Sequence, residues 1–378
     1  MENILWASWD ACQGQDVIIE APMVQAGLHI AEKLNIAHFI AFTMPFSKTK
    51  SFANPFLQVD SKVKIFNSFS YSLVERMLWF PLRDQINKFR TECCKLPPIT
   101  VNQGITELHN RDIPYLYCFS PLIVPKPTEW EDRINICGYW FLPPVPYTPP
   151  EGTFTSIHIH FILPVRVFTN RFEFFLLVSG LVKFLQQCKT KPIYVGFGSI
   201  VIKNPELFWD TVIEALIKTN RPIILSKGWT SVSRNYDLPD DIYVVDACPH
   251  DWLFKQVGAV CHHGGAGTTA VGLYNGCPTL IVSFFGDQPF WGSRMEELGV
   301  GATLPASSVT VENLSLALTE IATSTSMMEN AKSIGEQLQK EDGTSNAADI
   351  IYRNVAKCDA DNKAKQFKFT TNHVVKEK

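Results

Sequence analysis

Positive charge is in short supply in this chain: 34 lysines and arginines stand against 37 aspartates and glutamates, for a net charge of -3. A field able to hold a nucleic-acid backbone at long range is therefore lacking, and nucleic acid is not expected as a partner. Metal-ligand spacing is lacking too. The ten cysteines are scattered, and the adjacent pair Cys93 and Cys94 follows neither a zinc nor a disulfide-framework pattern. Reduced thiols in the cytosol are the simplest reading. The start Met1-Glu2-Asn3 has no basic segment followed by an apolar one, so no secretory signal is expected. The stretch Phe154 to Leu185 is rich in Phe, Leu, Ile and Val, but His158, His160, Arg166, Arg171 and Glu173 interrupt it. No run reaches the ~18 uncharged apolar residues that a spanning helix needs. A cytoplasmic protein, at most peripheral at membranes, is expected.

What is present is apolar material for two domains, 46% of 378 residues. From Lys191 onward short apolar runs alternate with helical patterns, the signature of an α/β fold with a parallel sheet. Pro192 to Gly196 reads as a buried strand, and Asn204 caps a helix opened by Pro205. Leu207, Phe208, Val212, Ala215 and Leu216 form its apolar face. Pro222 to Leu225, Ile242 to Val245, Val257 to Cys261 and Pro278 to Val282 supply further strands. Earlier in the chain, Asp16 to Glu20 and Ala37 to Phe42 read as strands around a helix at Ala26 to Leu34. Tyr71 to Arg90 reads as a helix kinked at Pro81. Leu142 to Pro150 contains five prolines and reads as a semi-rigid linker. The expected organisation is an incomplete first domain with its linker at 1–150, an atypical insertion at 151–180, a doubly wound domain at 181–358, and a polar tail at 359–378.

The strongest chemical signal is His262-His263-Gly264-Gly265-Ala266-Gly267-Thr268-Thr269, set between a strand and a helix. A helix start offers unpaired backbone N–H groups and a positive dipole end, and glycines let phosphate oxygens approach closely. Thr268 adds a hydroxyl, and His263 can donate to the same phosphate. The competing reading is a glycine turn that only packs a helix on the sheet. Gly196-Phe197-Gly198-Ser199 follows the preceding strand; lacking a third glycine, it is either a tight turn or a ligand contact by Ser199. Phe284-Phe285-Gly286-Asp287-Gln288 lies beyond another strand end, where Asp287 and Gln288 could bracket the hydroxyls of a sugar. Alternatively Asp287 caps the next helix. Around Cys248, backbone groups could read the edge of a base with help from His250, while Trp229 is a looser candidate for stacking on it. Trp252, Leu253 and Phe254 read as core.

These four segments, in this order, resemble family 28 glycosyltransferases, specifically the sterol 3-beta-glucosyltransferases. The matching runs are Gly196 to Ser199, Pro249 to Phe254, His262 to Thr269 and Gly286 to Gln288. Phe42 to Phe46 and Cys137 to Phe141 also look like sterol glucosyltransferase sequence. The resemblance implies a GT-B fold, two Rossmann-like domains facing a cleft, with UDP-glucose as donor substrate, a membrane sterol as acceptor, and neither a cofactor nor a metal. It places Cys248 and His250 at the uracil and ribose, and His263, Ala266, Gly267 and Thr268 at the diphosphate. Asp287 and Gln288 would hold the glucose. It also implies an inverting displacement.

Two departures from the family pattern stand out. The opening strand and the Gly-Ser-x-Gly-Asp loop have no counterpart before Asp16, so the first domain is expected to be truncated. No catalytic base is assigned, because Asp10, Asp16 and Glu20 are only weak substitutes. Thr153 to Gly180 lacks a clear period and contains Pro164, and Glu151-Gly152 joined directly to Leu181 would restore the family's linker. Two other readings compete with a sterol glucosyltransferase: a donor-binding relative without activity, and a UDP-sugar epimerase.

Overall fold

The computed structural model describes residues 2–23, 25–57, 62–101, 103, 112–142, 180–198, 200, 202, 204–226, 237–245 and 248–356. The expected insertion, all but its last residue, lies outside them, as do most of the proline-rich linker and the polar tail. Ser199 and Trp229 lie outside them as well. The chain divides into two compact units, Leu142–Gln339 and a first unit that joins Met1–Phe141 to Lys340–Lys378.

The second unit holds a six-stranded sheet, β5 (Ile193–Gly196), β6 (Ile223–Ser226), β7 (Ile242–Val245), β8 (Ala259–His262), β9 (Thr279–Ser283) and β10 (Gly301–Pro305). The strands run parallel in the order β10-β9-β8-β5-β6-β7. Side chains alternate across it with a period of two. Ile193, Val195, Ile223, Leu225, Ala259 and Cys261 face one core, covered by the helices Pro205–Thr219 and Val311–Thr323. Tyr194, Ile224 and Val260 face a second core, with Leu181 and Phe184 of a helix at 180–187 and with Leu253 and Phe254. Burial of each such Leu, Ile, Val or Phe is worth about 1.5–3 kcal/mol, and apolar runs covered on both faces are what parallel strands require. The doubly wound expectation holds here. Asn204 and Pro205 start their helix as read, although the Asn204 side chain makes no capping bond. Strand β10 was not anticipated; Gly301-Ala302-Thr303 has little apolar bulk and, among the described residues, pairs with β9 alone.

In the first unit four parallel strands run in the order β1 (Val17–Glu20), β2 (Ala37–Phe42), β3 (Tyr115–Tyr117) and β4 (Ile134–Ile136). The last two are three residues each, too short for a periodic pattern to reveal. The helix read at Tyr71 to Arg90 runs from Lys64 to Lys88, continuous through Pro81, and passes into a π turn at Phe89–Cys93. The fully buried Arg90 ties that turn down: its guanidinium meets Glu32 at 3.0 Å and His29 Nδ1 at 2.8 Å, and Nε–H donates to the Pro97 carbonyl. Each donor satisfied in this way removes a desolvation penalty that burial would otherwise impose.

The expected boundary at 358 is corrected by the last helix, residues 343–356. It belongs with the first unit, and the second ends at Gln339. The physical reason is a stripe at helical spacing, Ala347, Ile350, Ile351 and Val355, which packs on Phe39, Leu116 and Cys137 of the first sheet. Asn346 Nδ2 donates to the Cys137 carbonyl at 3.0 Å, and Ser120 Oγ donates to Glu341 Oε1 at 2.6 Å. Close backbone approach makes the junction possible: a Cβ on Gly343 would lie 2.6 Å from the Gly138 carbonyl carbon. Gly343→Ala is therefore expected to lower stability by about 1–3 kcal/mol, seen by calorimetry as a lower Tm. An unchanged Tm would show that this contact does not fasten the helix.

Candidate functional site

The candidate site forms at the carboxyl edge of the second sheet, where register sets three loops side by side. Gly196 ending β5 pairs with His262 ending β8, and His262 pairs with Ile281 of β9. Strand order reverses between β5 and β8, since the chain winds outward from β5 through β6 to β7 and then returns to β8. In an open α/β sheet that reversal leaves a crevice at the strand ends, the usual place for a ligand.

The glycine run is shaped by its own histidines. The His262 ring is fully buried and its Nδ1 accepts the Gly264 backbone N–H at 3.0 Å, folding the loop back at the end of β8. Gly264 takes a φ of 88°, in the region that favours glycine, and a Cβ there would press within 2.6 Å of Ile281. The helix Ala266–Tyr274 follows, with Gly265 as its N-cap. His263 lies half-buried between two glycines: a Cβ on Gly265 would come 2.6 Å from its Nε2, and one on Gly198 would come 3.3 Å from its Cε1. The Gly-Phe-Gly turn after β5 thus has a definite purpose, which is to make room for this imidazole. Among the described residues His263 Nδ1 is buried without a hydrogen-bond partner. At the helix start Gly267 is exposed, and a Cβ there would meet nothing within 4 Å. An open helix N-terminus beside an imidazole is suited to an anion.

The other loops contribute unequally. Gln288 Oε1 accepts the backbone N–H groups of Phe284 and Phe285 at 2.7 and 3.1 Å, so it shapes its own loop, and only its amide nitrogen is left as a donor for a ligand. Asp287 stands at the N-cap position of the helix Gln288–Glu297 but makes no capping bond; Oδ2 instead accepts the Trp291 indole N–H at 2.7 Å. Burial raises the Asp287 pKa, opposed by that indole bond. His250 stacks on Phe254 with ring centroids 4.7 Å apart, and its Nε2 lies 2.9 Å from Tyr194 Oη. Cys248 is half-buried, with its thiol pushed up to about 12 by burial and then by Asp251. It is not poised as a thiolate nucleophile.

His263, Gly264, Gly265 and Gln288 are brought into contact across two loops, with a Gly264 Cβ 3.3 Å from Gln288 Cβ. His263 is close enough to disfavour charge on His250, and both disfavour charge on His262. Ala266, Gly267 and Thr268 form the first turn of the helix. Tyr194 and Trp291, which orient His250 and Asp287, were missed because each reads from sequence as an ordinary core residue. Among the described residues no group of three or more His, Cys, Asp or Glu side chains is placed to hold a metal ion.

The Sterol 3-beta-glucosyltransferase of Aspergillus clavatus is 36% identical over 364 residues, 94% of this chain. The solved glycotransferase of kitacinnamycin superposes with a TM-score of 0.64 at 16% identity, covering 94% of this chain and 80% of that one. The chain is a relative of the sterol 3-beta-glucosyltransferases and has a GT-B fold. It spans about a quarter of the fungal relative's length, 24%. Residues 210–351 match the family described as Erythromycin biosynthesis protein CIII-like, C-terminal domain. Os79 from O. sativa, solved in complex with UDP and deoxynivalenol-3-glucoside, has a TM-score of 0.57 at 14% identity, covering 94% of this chain and 81% of that one.

Burial drives the His262 pKa well below 6.5, with His263 and His250 adding to the effect, and burial lowers His263 as well. Both rings therefore favour the neutral form in the folded state. The unfolded chain takes up protons near 6.5 while the folded chain resists them. Stability is thus complete above that pH and is lost as pH falls toward the depressed folded values. Thermal melts should show Tm dropping between pH 7 and about pH 5, with a shallower drop for His262→Asn, which keeps an acceptor for Gly264 but does not titrate. An equal slope in that variant would remove His262 as the cause.

Proposed function

We propose that the second unit binds a UDP-sugar and that the reaction served is transfer of glucose from UDP-glucose to the 3-hydroxyl of a membrane sterol. The observation that carries the donor half is the open helix start at Gly267, flanked by an imidazole that Gly198 and Gly265 are shaped to hold. Backbone N–H groups of Ala266, Gly267 and Thr268 would receive the diphosphate. Burial disfavours the protonated form of His263, so near neutral pH it would contribute an N–H donor rather than a full charge. Donors fixed in advance oppose the charge that develops on a departing diphosphate, which is electrostatic stabilisation of the transition state. The Asp287 carboxylate and the amide of Gln288 would meet glucose hydroxyls, with Cys248 and His250 on the side of the uracil and ribose. The names of the fungal relatives support the sterol and glucose, and the UDP bound to Os79 supports the nucleotide.

Isothermal calorimetry tests the donor assignment. His263→Ala is expected to weaken UDP and UDP-glucose alike, by about 1.5–3 kcal/mol, the usual loss for a hydrogen bond to a charged group. Asp287→Ala is expected to weaken UDP-glucose more than UDP. Equal losses for both ligands in the Asp287 variant would sink the glucose assignment.

Transfer by this chain alone is expected to be slow. Glu20, the carboxylate at the end of β1, already accepts the Gly27 and Leu28 backbone N–H groups and faces His38 at 2.9 Å. That leaves it badly placed to serve as a base, and general-base assistance is typically worth about 10²–10⁴ in rate. Mass spectrometry after incubation with UDP-glucose and ergosterol should find steryl glucoside at low yield. An altered UDP-sugar in its place would mean an epimerase.

A further inference from the structure

The geometry points to the outward face of the helix Lys64–Lys88 as a docking surface for an anionic phospholipid bilayer. One side of this helix is committed to the first unit, through the buried residues Tyr71, Val74, Trp79 and Ile86. The opposite side would be polar in an ordinary surface helix. Here Ile65, Phe69, Met77 and Phe80 are exposed by 83, 59, 60 and 55%. At 100° per residue they fall, with the half-buried Leu73, in a sector of about 120° that extends about 22 Å along the axis. A contiguous exposed apolar stripe of this kind marks an interaction site.

Charge selects the occupant. Arg76 and Arg83 lie within the same sector, and Lys62 and Lys64 are exposed at the helix start. The acidic residue in the sector, Asp84, sits at its far end with its carboxylate 2.9 Å from Arg83; Glu75 falls outside it. Phosphate headgroups complement such a face: the aromatic and aliphatic side chains enter the acyl boundary while the guanidinium groups remain among the headgroups. A second copy laid on the same face by a two-fold axis would bring arginines toward arginines, which disfavours self-association. The helix lies on the bilayer rather than crossing it. Its other side is in the core, and among the described residues no helix is long and apolar enough to span.

The inference stands on this helix face and does not rest on the sugar-transfer reading. Its test therefore uses neither nucleotide nor sterol. The full chain is sedimented with vesicles of phosphatidylcholine, with and without phosphatidylserine, and thermal melts verify that each variant is folded. The chain is expected to bind the phosphatidylserine vesicles preferentially. Phe69→Ser combined with Phe80→Ser should lower partitioning at least about tenfold, and Arg76→Gln combined with Arg83→Gln should reduce the preference for phosphatidylserine. The proposal is overturned by absence of binding in the folded chain or by equal binding to both vesicle types. It is equally overturned if the Phe69 and Phe80 variant binds undiminished, or if light scattering finds a dimer that this variant dissolves.

Discussion

The parallel register that sets Gly196 beside His262, and His262 beside Ile281, is the constraint on which the candidate site depends. It brings the ends of β5, β8 and β9 to one edge, so that loops distant in sequence share a boundary. Everything at that edge is then a problem of space. His263 needs room on two sides, and two glycines supply it, one from the β5 loop and one from its own. A side chain at either position would displace the imidazole from the mouth of the helix. The glycines of this site allow close approach to a histidine and, on the proposed reading, to a ligand as well.

Burial decides the electrostatics of the same edge. Three imidazoles and one carboxyl are partly or wholly removed from water, and the dominant cause of every shift is desolvation rather than an opposing charge. All four are moved toward their neutral forms. The site therefore offers dipoles and N–H donors rather than fixed positive charge, which suits a ligand that brings its own negative charge to a helix N-terminus. Supporting residues maintain this arrangement from below: Tyr194 holds His250, Trp291 holds Asp287, and the Gln288 side chain holds the loop that precedes it.

The first unit is organised by different means. Its four strands are short, and much of its cohesion comes from side chains that bind backbone across long sequence separations. Tyr117 Oη accepts the N–H groups of Phe46 and Ser47, Glu129 accepts the Thr49 hydroxyl and the Lys50 N–H, and Trp130 Nε1–H donates to the Lys48 carbonyl. The loop that follows β2 is thereby fixed in place beside the long helix whose outer face is apolar. Such ties give a rigid surface without a large sheet, and rigidity lowers the entropic cost of binding whatever that surface meets.

Local chemistry in the chain determined the alternation of strand and helix beyond Lys191, the glycine run at a helix start, and the composition that argues against nucleic acid. Those features are legible because parallel strands buried on both faces are continuously apolar, and because a helix-start anion site needs glycines adjacent in sequence. Tertiary structure alone decided the rest. The last helix joined the first unit because the apolar face complementary to Ala347 and Ile350 lies on β2, on β3 and just past β4, some two to three hundred residues earlier. Gln288 became a prop for its own loop, and Gly198 a seat for His263, through contacts that depend on register. The helix Lys64–Lys88 shows no single apolar stripe in its sequence because both of its sides are apolar. Which side is buried, and which is left to meet a partner, was fixed by the sheet it packs against.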